Sequence, residues 1–190
     1  MDITNAVEVK MQTETDILHT NILDVAYWLR YADELAEWRN KYLSYVGQMF
    51  VSPSQYLTNR ERIAAALITT RDLNARKVFG RGAQHSNRDV QRLSLLALGV
   101  FQQEELMDNI SGYLDVQDEE IRVAAAFAIS NIHSEEAYTL LSEELLETNS
   151  ESVQQVIAEA FADNPEVGYE ILWEILNNAE YKDRVRLRRA

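Results

Sequence analysis

The sequence repeats itself, and the repeat limits what the chain can fold into. Residues 88–101 (RDVQRLSLLALGVF), 119–132 (EEIRVAAAFAISNI) and 151–164 (ESVQQVIAEAFADN) align without gaps. Each carries its core positions at i, i+3, i+4, i+7 and i+8, the single stripe of a 3.6-residue helix. The columns are Val90/Ile121/Val153, Leu93/Ala124/Val156, Ser94/Ala125/Ile157, Ala97/Ala128/Ala160 and Leu98/Ile129/Phe161, with small residues where a neighbour must come close. A second helix follows each, and its columns recur with an offset of 31: Leu106/Ala137/Gly168, Asn109/Leu140/Ile171, Ile110/Leu141/Leu172, Tyr113/Glu144/Ile175 and Leu114/Leu145/Leu176. A two-helix unit of this size cannot bury its own apolar face, so copies must stack.

Composition agrees with an all-α chain. Six glycines and two prolines in 190 residues suit long helices and short turns better than strands. Apolar residues at 46% and charged residues at 26% describe an ordinary globular chain rather than a disordered one. Cysteine is absent, which removes disulfides and thiolate chemistry and fits a reducing compartment. No apolar run reaches the roughly 18 residues that cross a bilayer, and the N-terminus lacks the basic and apolar regions of a secretory signal. The expected compartment is the cytoplasm.

The segment DEEIRVAA (118–125) followed by AISNI (128–132) resembles the D-x-x-V-R-x-x-A-A-x-A-L-G pattern of short bacterial HEAT-like repeats, including those of phycobilisome lyase proteins. Gln91 and Gln154 replace the motif arginine in the first and third copies. The resemblance spans about residues 88–190 and implies an α-solenoid of two-helix repeats. The repeats read as 88–117, 118–149 and 150–180, and Asp183, Val185 and Arg186 restart the pattern within 181–190. Those last residues are either a shortened cap or the beginning of a further repeat. A degenerate copy over 58–87 opens on Thr58 and Glu61, which read as a capping box; Ile63 falls 27 residues before Val90.

Residues 1–57 form an N-terminal helical region. From about Asp16 to Phe50 there is no proline, and Trp28, Tyr31, Leu35, Trp38, Tyr42, Tyr45 and Met49 step by alternating threes and fours. One helix with an aromatic heptad seam is predicted, ended by Ser52 and Pro53. The seam caps the first repeats, or it is an oligomer or partner seam.

Nothing in the sequence assembles a catalytic site. His19, His85 and His133 have no metal-ligand spacing, and His133 reads as a helix-end cap. Gly80 and Gly82 lack the rest of a phosphate loop and read as a turn or frayed helix end. The chain is read as a non-enzyme without a cofactor; the resemblance leaves a bilin lyase subunit or other tetrapyrrole-handling protein as an alternative.

Charge is distributed in blocks. Residues 60–100 stand at +5, whereas residues 101–180 hold nineteen carboxylates against Arg122 alone. Phosphate backbones are poor ligands for the acidic half. The basic stretch 60–92 has three readings: a solvated face, internal pairing with the acidic half, or a nucleic-acid patch.

On the second helices the ridge opposite Ile110, Leu141 and Leu172 runs Glu104–Asp108–Ser111–Asp115, then Glu135–Thr139–Ser142–Leu146, then Glu166–Glu170–Trp173–Asn177. The resemblance implies that second helices line the concave face, which would set these ridges side by side. Candidate partner-binding residues are therefore Glu104, Asp108, Glu135, Thr139, Glu166, Glu170 and Trp173, and the expected partner is a protein with a basic surface. Against this stands plain solvation, with Glu104, Glu135 and Glu166 serving helix dipoles.

Overall fold

In the computed structural model, residues 3–12, 18–33, 35–102 and 104–178 are described. All regular structure among them is helical. The helices are α1 (Ile3–Met11), α2 (Thr20–Leu29), α3 (Glu37–Val51), α4 (Leu57–Thr69), α5 (Leu73–Gly82), α6 (Arg88–Phe101), α7 (Met107–Ser111), α8 (Glu119–Ser130), α9 (Glu135–Glu147), α10 (Glu151–Asp163) and α11 (Pro165–Asn178). They form two compact units, Met1–Ala97 and Leu98–Ala190, divided within α6. The expected restart at 181–190 lies outside the described residues.

In the first unit α1 lies on α2 and α3, both of which pack on α4, and α3 also meets α5. Val25, Val46, Phe50, Ile63, Leu67 and Phe79 are fully buried. The rings of Phe50 and Phe79 meet edge to face, with centroids 5.5 Å apart. Tyr42 is buried and donates its hydroxyl to the carbonyl of Ile22 at 3.0 Å. Burial, reinforced by the charge of Asp24, holds its phenol well above the ordinary value.

The single helix expected over 16–50 is two helices. After Leu29 the chain turns, and the Asp33 carboxylate accepts the N–H of Leu35 at 2.8 Å. The freed carbonyls of Leu29 and Ala32 each accept from the Arg39 guanidinium at 2.9 Å, which also pairs with Asp72 at 2.6 Å. These partners satisfy the end of α2 as another helical turn would have done, so the break needs neither proline nor glycine. The aromatic seam therefore divides. Trp38 and Tyr42 are buried and Tyr45 is half-buried, whereas Trp28, Tyr31 and Leu35 are exposed. Ser52 ends α3 as expected.

The capping box does not form. Helix α4 begins at Leu57 with Tyr56 as N-cap and no side-chain cap. Its first turn is fixed instead by Arg60, buried to 2% exposure. Arg60 donates to the carbonyls of Phe50 (2.9 Å) and Ser52 (2.8 Å) and to Asn87 Oδ1 (3.1 Å).

Backbone geometry corrects the register of the degenerate copy. Among the described residues those with positive φ are His19, Arg71, Gln102 and His133, none of them glycine. The last three lie in the turn after α4, α6 and α8 respectively, spaced by 31 and 31. At this offset Asn59, Ile63, Ala66 and Leu67 fall beneath Val90, Ser94, Ala97 and Leu98, and all eight are buried. On the second helices Ala75 and Phe79 fall beneath Leu106 and Ile110, the first of this last pair half-buried and the second buried. The spacing of 27 read from Ile63 and Val90 is replaced by 31. Gly80 and Gly82 form the last turn of α5, where a side chain at Gly82 would collide with Ser94 Oγ at 2.2 Å.

In the second unit α8 packs along α10, α9 packs on both, α7 on α8 and α11 on α10. First helices thus stack on first helices, as a repeat stack requires. Two glycines allow close approach: a Cβ at Gly99 would meet Ala128 Cα at 2.7 Å, and one at Gly168 would meet the Phe161 carbonyl oxygen at 1.8 Å. The glutamines at the motif-arginine position each hold a loop carbonyl. Gln91 donates to Ala83 at 3.0 Å and Gln154 to Thr148 at 3.1 Å.

Candidate functional site

The N-termini of α8, α9 and α10 are capped by short polar side chains, whereas α7, with Leu106 as N-cap, has no side-chain cap. Asp118 accepts from the N–H groups of Glu120 and Ile121, Ser134 from Ala137 and Ser150 from Val153. Ser150 in turn donates to the carboxylate of Glu119, one period earlier. That bond, with Ser152, holds the Glu119 carboxyl below its ordinary range. The first helices are thereby fixed to one another, and α7, α9 and α11 take their positions from them.

Two grooves run along α9. The first, of about 580 Å³, lies between α7 and α9; its charged walls are Asp108, Glu135, Glu136 and Glu143, with Ser111, Thr139 and Leu140 between them. The second, of about 650 Å³, lies between α9 and α11, where Glu135, Thr139 and Glu143 face Val167 and Ile171. Glu135, Thr139 and Glu143 line both, so α9 is the shared wall. Thr139 Oγ1 donates to the Glu135 carbonyl at 3.0 Å and Ser142 Oγ to that of Tyr138 at 2.7 Å. These hydroxyls are turned onto their own helix, leaving carboxylates as the polar groups that α9 offers the first groove; the second also holds His133 and Tyr138, which are bonded to each other.

Among the described residues no lysine or arginine lines either groove. Arg122 is the only lysine or arginine between 101 and 180. Its charge acts on Glu119 and Glu144. Neither of these lines a groove. Burial, with Asp115 adding to it, raises the Glu144 carboxyl above its ordinary value.

The structure sorts the seven candidate residues. Asp108, Glu135 and Thr139 meet at the first groove. Glu170 and Trp173 lie instead on an outer hollow of about 440 Å³ made by α11 alone, with Tyr169, Leu172 and Leu176. Trp173 is 71% exposed. Glu104, in a 3-10 turn ahead of α7, and Glu166, in the first turn of α11, are exposed and line neither groove. Sequence reasoning passed over Glu136 and Glu143. Steps of four from Glu135 lead through Thr139 to Glu143, whereas the predicted ridge turned aside to Leu146, which is exposed but lines no groove.

His133 caps no helix. The C-cap of α8 is Asn131, and the His133 ring meets the Tyr138 hydroxyl at 3.2 Å, a hydroxyl also bonded by Asn164. The basic stretch is partly drawn inward: Arg60 is buried as described, Arg62 bonds the Leu18 carbonyl at 3.0 Å, and Arg92 lies 3.8 Å from Glu61. Among the described residues no group of three or more potential ligands could hold a metal ion, and no helix is long and apolar enough to cross a membrane.

In the first unit a further hollow of about 770 Å³ opens between α1 and the α2–α3 turn. Trp28, Tyr31 and Trp38 line it together with Asp33 and Glu37. Tyr42 and Tyr45, from the same predicted seam, do not.

Helical hairpins in register, stacked first helix on first helix, define an all-α repeat protein of the α-solenoid class. Residues 76–162 match the family of HEAT repeats, and that stretch is a run of such repeats. Solved structures agree on the fold. The complex of CpcE and CpcF of phycocyanin lyase from Nostoc sp. PCC7120 is similar at a TM-score of 0.58 and 16% identity, over 97% of this chain and 73% of that one. An engineered protein is similar at 0.51 and 19%, over 100% and 95%. Computationally designed armadillo repeat proteins for modular peptide recognition are similar at 0.51 and 14%, over 98% and 97%. A search of curated proteins found no match in sequence.

Proposed function

We propose that the chain is a non-catalytic interaction scaffold, and that α9 with its two flanking grooves binds a basic segment of a protein partner. The observation that carries this reading is the double role of α9. Glu135 and Glu143 face both grooves, with Asp108 and Glu136 beside them, and among the described residues no lysine or arginine lines either wall. A concave surface of one sign raises the on-rate of an oppositely charged partner. Repeat folds commonly present such extended surfaces, and the armadillo-type neighbours are described as recognising peptides.

The test is titration of the protein with a lysine-rich peptide by calorimetry at low and high salt. Charge reversal at Glu135 and Glu143 should weaken binding at least tenfold and flatten the salt dependence. Both side chains are exposed, so the fold should survive. Affinity unchanged by the double reversal would refute the groove assignment.

A second reading is tetrapyrrole handling. It rests on likeness to the phycocyanin lyase complex and on the apolar hollow around Trp173. No change in bilin absorbance on mixing, with and without an acceptor protein, would eliminate it. Nucleic-acid binding through 60–92 is disfavoured by the inward engagement of Arg60.

A further inference from the structure

The hollow between α1 and the α2–α3 turn is a site of different chemistry from the grooves of α9. Its floor includes Trp38, 5% exposed, and its rim carries Trp28 at 41% and Tyr31 at 86%. Leu35, on the same turn, is 90% exposed. Apolar bodies of this size left in water at one place mark an interaction surface. Among the described residues, the charged groups of the walls are the carboxylates of Asp33 and Glu37, with no cation. Trp28 already attracts a cation from within the chain, because Lys10 Nζ stands 5.5 Å from its ring centroid. Of the other cations near the turn, Arg39 is engaged with Leu29, Ala32 and Asp72, and Arg30, exposed at the end of α2, does not line the hollow.

Aromatic faces next to uncompensated carboxylates favour a flat cation. A guanidinium stacks on rings through its face and forks onto carboxylate oxygens through its edge, whereas an ammonium offers only a compact, strongly hydrated charge. The backbone keeps both acids in place: Asp33 is fixed by the N–H of Leu35, and Glu37 opens α3. The volume, about 770 Å³, exceeds one side chain and admits the flanking backbone as well.

We propose that this hollow receives an arginine side chain presented by a protein partner. It stacks against Trp28 and Tyr31 and is paired by Asp33 and Glu37. The site belongs to the first unit and is separate from α9. The basic partner proposed above is one source of the arginine, and the two assignments are tested by different variants.

The experiment uses the full chain carrying Trp173→Phe, so that Trp28 and Trp38 alone report by fluorescence. The probes are capped glycine peptides containing arginine, citrulline or lysine. The arginine peptide should change the emission saturably. Its Kd should rise at least tenfold in Asp33→Asn/Glu37→Gln and should be unaffected by Glu135→Lys/Glu143→Lys. Asn at 33 keeps an oxygen for the Leu35 N–H; should the double variant lose helical circular dichroism, Tyr31→Ala at an exposed position must show the same loss of affinity. Equal binding of the citrulline or lysine peptide overturns the assignment. So does an unchanged Kd in the variants, or self-association of the peptide-free protein that buries Trp28 and Tyr31.

Discussion

Replacing Arg60 by methionine should loosen the first unit more than any surface change of comparable size. Methionine keeps an unbranched apolar stem in the same space and removes every donor. Asn87 Oδ1 retains the N–H of Val90 at 3.1 Å, so it is not orphaned. The carbonyls of Phe50 and Ser52, at the end of α3, lose the partner they had at 2.9 and 2.8 Å. A buried acceptor without a partner costs about 1–3 kcal/mol; that cost falls on Phe50 alone, because the Ser52 carbonyl keeps the N–H of Gln55 at 3.1 Å. Removing a buried cation offsets part of that, since among the described residues only Asp89, at 3.9 Å and 41% exposed, faces it as a countercharge. A net loss of about 1–2 kcal/mol follows.

Urea unfolding followed by far-UV circular dichroism measures this loss. Amide exchange should localise it to the end of α3 and the start of α4. Arg60→Lys keeps the charge on a head that cannot span three acceptors, and should recover less than half of the loss. Stability of Arg60→Met within about 0.5 kcal/mol of wild type, the range of ordinary surface substitutions, would refute the claim that this side chain fixes the first turn of α4 against the end of α3.

The Gly168→Ala variant places a Cβ where the Phe161 carbonyl oxygen now stands at 1.8 Å; thermal melting should reveal a loss of at least about 2 kcal/mol, and its absence would mean that α10 and α11 are not in contact there. Arg71→Gly, at φ 53°, should gain up to about 1 kcal/mol by relieving a left-handed residue with a side chain; a loss in urea unfolding would show that the side chain outweighs the strain. Glu144 is raised, so its proton favours the folded state and its ionised form opposes it. Glu144→Gln should therefore be more stable than wild type at neutral pH, the gap closing as pH falls through the carboxylate range. Glu119 is lowered, so its contribution is present above the ordinary carboxylate value and lost as pH falls through the lowered one. Glu119→Gln should be the less stable protein at neutral pH and should converge with wild type in acid. A pH-independent difference in either case would rule out the assigned cause.

The stacked hairpins were legible because their core is periodic: Val90, Ile121 and Val153 recur in the sequence as they recur in space. The register of the first hairpin was not, because two of its core columns carry Asn59 and Arg62. Its turn, moreover, is made by Arg71, a residue type that gives no sign of positive φ. The break between α2 and α3 was hidden for a different reason. Its stabilising partner, Arg39 held by Asp72, is 33 residues from its countercharge, and helix periodicity carries no information about such a pair. For the grooves, the acidic steps of α9 were visible in the sequence. Which side of that helix faces its neighbours depends on how the hairpins pack, so Glu143 emerged only from the structure.

The bond between Glu119 and Ser150 has a consequence for how chains of this kind change length. Ser150 caps the helix that follows it and receives Glu119 from the helix before, so both duties sit within the block 119–150. A tandem duplication of that block would give each new copy its own cap and its own link to the preceding copy, with no second mutation required. The segment is thus a self-contained unit for genetic expansion.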